Sequence, residues 1–473
     1  MAGYDHDLAI IGGGSAGLTA AKVARFFGKR VAMVDKQRLG GDCLYYGCVP
    51  SKALIKASRV MHEVKTADRW GLQLSSLEVS LGAVNARVQH AIAEVGKLDS
   101  EEALRRQGVD VFLGGASFAD AHTILTGAGD TLRAKSVLIA TGSRPAVPSI
   151  PGLEEAGYLT NEDVFDLQRL PQRLAVVGGG PIGVELAQAF RRLGSQVTVL
   201  QRGPHLLPRD DAELVEILEG AFASEGIEVA FDTEIASVRV EAREKVLTLN
   251  RKRDGELYVD AILVAVGRTP NIEALALEKA GVAATSHGIS INDRLQTSRP
   301  HIYAAGDVVG GPLFTHYAGY QAAQAVRNAF VPVKLRFNTG ALPWVTFTDP
   351  EIAHVGMTET EAKRTGKPCS IVKFPYSELE RAVTDQDPVG LMKFIIDDRR
   401  RIMGCHIAGG SAGELINEIT LAMNNHLTVD KLIGSIHAYP TYSFGIPVAL
   451  YDFALNEDPS TIARAGRFLS KLT

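Results

Sequence analysis

The chain has 473 residues, which at about 150 residues per domain allows roughly three domains with ample core. Hydrophobic residues make up 46% and charged residues 22%, and 50 basic against 54 acidic side chains leave a net charge of -4, too even for a nucleic-acid or anionic-membrane partner. No apolar run approaches the ~18 residues a bilayer span requires; the first, DLAII, begins at Asp7 and leaves no room for a leader, so a cytoplasmic, reducing compartment is expected.

The N-terminal segment DLAIIGGGSAGLTAAKVARFFGKRVAMVD (Asp7 to Asp35) returns without insertion as RLAVVGGGPIGVELAQAFRRLGSQVTVLQ (Arg173 to Gln201). Gly12, Gly14, Gly17 and Gly28 map onto Gly178, Gly180, Gly183 and Gly194 at a constant offset of 166. Each copy reads as strand, glycine turn, amphipathic helix and second strand, the βαβ unit that binds a dinucleotide. The glycines admit a tight turn and close approach to a pyrophosphate, and the helix N-terminus faces its negative charge. Two dinucleotide sites are expected. Asp35, ending the second strand of the first copy, is placed to accept from a ribose hydroxyl. Its counterpart is Gln201, followed by Arg202, which can pair with a 2′-phosphate, so the second site is expected to favour NADPH modestly over NADH.

Between the two copies lies GGDCLYYGCVPSK, Gly40 to Lys52, which carries two of the four cysteines, Cys43 and Cys48. The run VPSKALIKASRVMHEV continues at helical spacing with Pro50 in its first turn, placing Cys48 at a helix N-terminus, where the dipole and free N–H groups favour a thiolate. In a regular helix residues five apart diverge by roughly 140°, so a disulfide here needs a distorted turn, which Gly47 allows. A zinc site is poorly served, since Cys369 and Cys405 lack paired spacing; no metal ligand set is expected. Two buried, inert cysteines are the alternative to a redox pair.

With these residues in view, nearly the whole chain resembles the pyridine nucleotide-disulfide oxidoreductases. GGDCLYYGCVPSK is similar to that family's redox-active disulfide segment, with Asp42 where threonine is usual and Tyr45-Tyr46 where Asn-Val is common. VLIATGSRP (Val137 to Pro145) and HIYAAGDVVGGPLFTH (His301 to His316) resemble its later flavin-binding segments, and VAVGRTPN (Val264 to Asn271) the close of its nicotinamide domain. FTDPEIAHVGMTETEA and AGELINEITLAMNNHLTVDKL resemble its interface domain, implying a homodimer.

The resemblance implies an α/β fold: two doubly wound, Rossmann-like dinucleotide-binding domains and an α+β C-terminal dimerisation domain. FAD would be bound by residues 1–150 and 272–338, NAD(P) by 151–271, and the partner subunit by 339–473. It implies an FAD contact set of Gly12, Gly14, Gly17, Asp35, Gly41, Asp42 and Lys52, joined by Ala116, Thr141, Gly142, Asp307, Phe314, Thr315 and His316. For the nicotinamide nucleotide it implies Gly178, Gly180, Gly183, Gln201, Arg202 and Gly267. Cys48 would be the thiol facing the flavin and Cys43 the one meeting the oxidant. Lys52, one helical turn past Cys48, would pair beside the flavin with Glu185 of the second glycine motif.

The chain departs from the family at HAYPTYSFG, His437 to Gly445. Glutathione reductases and dihydrolipoamide dehydrogenases carry a histidine-glutamate dyad there, supplied by the partner subunit as acid and base; here Tyr439 and Phe444 stand instead. Tyrosine, with a pKa near 10, is a poor base at neutral pH, and His437 lacks the glutamate that would orient it. A soft metal ion needs no such base. Mercuric reductases carry tyrosine at the dyad position, but keep the glutamate and add a C-terminal cysteine pair, whereas this chain ends RAGRFLSKLT.

The expectation is an NAD(P)H-dependent FAD enzyme passing electrons through Cys43 and Cys48 to a soft metal ion or other thiol-reactive small molecule, with Tyr439 at the oxidant site. The alternatives are a dihydrolipoamide dehydrogenase or low-molecular-weight disulfide reductase, a quinone reductase or diaphorase, and a flavin redox sensor without turnover.

Overall fold

In a computed structural model, residues 3–73, 78–252 and 254–457 are described; the terminal RAGRFLSKLT lies outside them. The first sheet runs in the order 109–113, 31–35, 6–11, 131–139, all parallel, and 302–304 returns from far downstream to pair with 131–139. A short antiparallel extension, 123–126 and 116–118, continues the order from 131–139. The parallel strands are apolar on both faces, as LAII and VAMV show, because both are covered: one by the helices Ser15–Phe26 and Thr315–Phe330, the other by Phe118 and Ile124 of the antiparallel extension with Leu275 and Leu277. The helix Ser15–Phe26 lays its alanine-rich face on the first of these.

The second glycine copy builds a parallel sheet ordered 228–230, 196–200, 173–177, 261–264, with the helix Pro181–Leu193 in the crossover. The repeat is structural as well as sequential. A Cβ on Gly12 would meet Ala140 O at 2.2 Å, and one on Gly178 would meet Ala265 O at 2.5 Å. Helix and strand close equally tightly at Gly17 and Gly183, where a Cβ would lie 1.9 and 2.0 Å from the carbonyl oxygens of Gly12 and Gly178. No larger residue fits, which explains the matched spacing.

The third part is an antiparallel sheet ordered 343–346, 351–356, 402–409, 391–397, 369–375, packed against the helix Ala412–Asn424. Two joints matter for the site. The antiparallel pair 143–145 and 268–270 links the chain crossings between the first two sheets and sets Arg268 beside Ser143. Lys393, on a strand of the third sheet and 2% exposed, reaches Asp211 at 2.9 Å, Glu213 at 2.9 Å and Glu359 at 2.5 Å, tying the third sheet to the segment after 196–200. Among the described residues no helix is long and apolar enough to cross a membrane.

Candidate active site

A cleft of about 1820 Å³ runs past both glycine turns and the two cysteines. A single-ligand pocket holds roughly 300–1,000 Å³, so two extended ligands can meet in this one. Its walls bring together Gly12, Gly14, Asp35, Gly41, Asp42, Cys43, Cys48, Lys52, Thr141, Gly142, Asp307, Phe314, Thr315 and His316 on one side, and Gly178, Gly180, Glu185, Gln201, Arg202 and Gly267 on the other. Gly17 and Gly183 lie behind the turns and support them, as the contacts above require.

Ala116 is the exception on the flavin side. The resemblance counted it a cofactor contact, but it does not line the cleft; its strand pairs with Thr123–Thr126 and its side chain packs on the core cluster that includes Ile11 and Val34.

The redox turn is built by breaking a helix. Gly41–Tyr45 and Cys48–Lys65 are separate helices, interrupted at Tyr46 and Gly47. A Cβ on Gly47 would come within 3.1 Å of Cys43 Cα and of Asp42 O, so glycine lets the second helix fold back onto the first. That fold brings the two thiols into contact despite their five-residue separation. Cys43 is half-buried and Cys48 is exposed to the cleft. The hydrogen bond from Cys43 pulls the Cys48 pKa down to about 6, with Thr315 Oγ1 at 3.4 Å and the charge of Lys52 assisting against burial. The same hydrogen bond, with burial, pushes Cys43 up. These shifts favour ionisation at Cys48 with the shared proton on Cys43.

Lys52 Nζ lies 2.9 and 3.1 Å from the two carboxylate oxygens of Glu185, which is 6% exposed and also accepts from Phe347 N at 2.8 Å. The Phe347 ring sits under the ammonium at 4.4 Å. One turn of the redox helix, the second glycine motif and the third sheet therefore meet at a single ion pair.

The structure also brings in residues that the sequence did not mark. Arg268, with a side chain 9% exposed, donates to Asp42 Oδ1 at 2.9 Å and to Ser143 Oγ at 2.7 Å; Ser143 in turn donates to Asp307 Oδ2 at 2.6 Å. Burial raises the Asp307 carboxyl, with Arg268 opposing. The Asp42 that replaces threonine thus holds a buried cation from the close of the nicotinamide segment. Arg38 stacks over Tyr45 at 3.5 Å and donates to Tyr46 Oη at 2.8 Å, so the other two departures brace the turn between the cysteines. The signal was present, since all three departures fall within one motif; their partners lie elsewhere in the chain.

The glycine-turn geometry fits the two expected nucleotides. Asp35 Oδ2 accepts from Gly13 N at 2.7 Å, and Gln201 Oε1 takes the matching place with Gly179 N at 3.1 Å. Each side chain fixes its turn while still bordering the cleft.

Tyr439 lies outside this cleft, 64% exposed on the C-terminal segment, with its ring edge-on to Phe444 at 5.3 Å. His437 is corrected by the structure: an orienting carboxylate exists, but it is Glu418 from the helix Ala412–Asn424, at 2.8 Å from Nε2. Nδ1 faces Ser435 O at 3.0 Å, so both ring nitrogens are already engaged within the fold.

The sequence pattern of the pyridine nucleotide-disulphide oxidoreductases matches residues 6–322, and that of their dimerisation domain matches residues 342–449. The chain is 36% identical to a mercuric reductase of Staphylococcus aureus over 95% of its own length and 82% of the other's. It is 37% identical to a dihydrolipoyl dehydrogenase of Thermus scotoductus over 93% and 96%. The HOCl-induced flavoprotein disulfide reductase RclA from Escherichia coli, whose Cu(II) complex is also similar, superposes with a TM-score of 0.85 at 26% identity, covering 94% of this chain and 99% of that one. The chain belongs to the pyridine nucleotide-disulphide oxidoreductase family, FAD-dependent enzymes that use a pyridine nucleotide and a redox-active disulfide and carry a dimerisation domain.

Proposed function

We propose that the protein is an NADPH-dependent reductase of soft metal ions, with Cys43 and Cys48 as the dithiol that binds the ion. The observation that carries this reading is that neither described side chain of the C-terminal segment where the family keeps its base is free. Tyr439 packs on Phe444, and His437 is committed to Glu418 and Ser435. A disulfide substrate leaves as a thiolate that needs a proton, whereas a thiophilic ion needs only two thiolates. Mercuric reductases among the relatives, and a Cu(II) complex among the similar structures, support it.

Residues 1–150 with 272–338 would hold FAD, 151–271 the pyridine nucleotide, and 339–473 the second subunit. When bound, FAD supplies the relay of an electron pair from nicotinamide to dithiol. The chain's own part is to keep Cys48 ionised and Cys43 protonated until the ion binds and displaces the Cys43 proton to solvent, and to hold Lys52 against Glu185 beside the reacting centre. In balance, one NADPH gives two electrons and one proton; a divalent ion such as Hg(II) takes both electrons and the proton is released. Arg202 at the rim of the second site, with no carboxylate at Gln201, supports NADPH over NADH. Tyr439, delivered from the second subunit, would face the ion.

Steady-state NADPH oxidation tests the reading. It predicts sustained turnover with Hg(II) in excess thiol, little with oxidised lipoamide, and loss of metal-dependent turnover in Cys43→Ala/Cys48→Ala. Faster turnover on lipoamide would overturn it.

A further inference from the structure

One carboxylate in the cleft is used by neither glycine turn nor by the redox helix. Asp210 lines the cleft between them. Leu207 N donates to Gly179 O at 2.9 Å, which lays the segment leading to Asp210 against the second glycine turn. From the opposite wall Trp344 donates its indole N–H to Asp210 Oδ1 at 2.9 Å.

That indole is held flat. Its ring lies 3.5 Å from His354 at 14° and 5.8 Å from Phe314 at 13°. Phe314 precedes Thr315, the neighbour of the Cys48 sulfur, and Phe347 on the Trp344 side binds Glu185. Asp210 therefore stands between the nucleotide turn and the place where the two cofactors must meet.

Its charge is not cancelled. Glu185 is paired with Lys52, and the neighbouring Asp211 with Lys393 at 2.9 Å, whereas Asp210 makes no ion pair among the described residues. Burial pushes its carboxyl up to about 6, with the Trp344 hydrogen bond and Arg209 opposing and Asp211 adding to it, so it is ionised at pH 8.

We infer that Asp210 sets which redox state of the pyridine nucleotide the enzyme holds: its anionic charge, aimed by Trp344, favours the oxidised, positively charged nicotinamide ring over the neutral reduced one. Hydride loss leaves one positive charge on that ring. A fixed anion in a low-dielectric cleft binds the charged form more tightly than the neutral form, which favours release of the hydride to the flavin. The inference concerns the nucleotide half of the cleft and is independent of the terminal oxidant.

The experiment measures dissociation constants on oxidised holoenzyme at pH 8 by calorimetry. The probes are NADP⁺ and 1,4,5,6-tetrahydro-NADPH, a neutral and redox-inert analogue, with NAD⁺ and its tetrahydro analogue in parallel; the tighter pair is read. Asp210→Asn is expected to weaken the oxidised nucleotide by about fivefold or more relative to the analogue. Asp210→Glu should hold the ratio within about twofold of the parent, and Asp210→Ser reads the same ratio should the amide disturb the loop. A purely structural role in anchoring the loop would move both ligands by one factor; that result, or no change in either, overturns the inference.

Discussion

The ammonium of Lys52 and the carboxylate of Glu185 lie 2.9 Å apart, although one comes from the redox helix and the other from the second glycine motif. Because Glu185 is almost fully buried, removing the lysine leaves an uncompensated charge at the centre of the cleft. Lys52→Met is expected to slow flavin reduction by NADPH by about tenfold or more, measured by stopped-flow absorbance. The Cys48 pKa should move upward, since the Lys52 charge helps lower it.

The Cys48 thiol, held at about 6 by its hydrogen bond from Cys43, gives a pH signature. A lowered pKa means that the thiolate is present above that pH and lost below it. The long-wavelength thiolate-to-flavin band of the two-electron-reduced enzyme should therefore be full at pH 8 and fade as pH falls through about 6. A pH titration of that band checks it. Cys43→Ala removes the donor and should shift the midpoint upward while abolishing dithiol-dependent turnover; flavin reduction itself should persist.

Lys393 predicts the behaviour of the joint between the third sheet and the nucleotide-binding part. At 2% exposure it answers three carboxylates. Lys393→Met should cost about 3–5 kcal/mol, read as a fall in the denaturant midpoint. Lys393→Arg, which keeps the charge, should lose less.

The missing base predicts a gain of function. Tyr439→His with Phe444→Glu should raise lipoamide reduction by about tenfold or more, with the metal-dependent rate compared in parallel. Glu418→Gln should leave lipoamide activity where it is, because His437 is a fixed member of the fold.

Much of the fold was legible because its signals are local. Glycine spacing, strand apolarity and helix periodicity recur in both copies, and backbone contacts such as Gly17 on Gly12 reproduce at Gly183 on Gly178. The cysteine pair and the Lys52–Glu185 partnership followed from motif positions. What escaped were pairings set by tertiary structure. Trp344 and Asp210 are 134 residues apart, and nothing near either announces the other. The Asp42 substitution was visible, but not that Arg268 would meet it. Glu418 answers His437 from a neighbouring helix, where the sequence pattern looked only downstream to Phe444. Ala116 is the reverse case: a motif position whose side chain is turned to the core, away from the cleft lining.

The dithiol is proposed to serve an oxidant that needs no acid or base from the protein. The most direct measurement mixes anaerobic enzyme, reduced with one equivalent of NADPH, with Hg(II) or separately with oxidised lipoamide, and follows the thiolate-to-flavin band. Rapid change and multiple turnovers are expected with Hg(II), and a slow or absent response with lipoamide. Fast loss of the band with lipoamide, regenerating oxidised flavin and disulfide together, would show instead that the dithiol reduces a disulfide substrate.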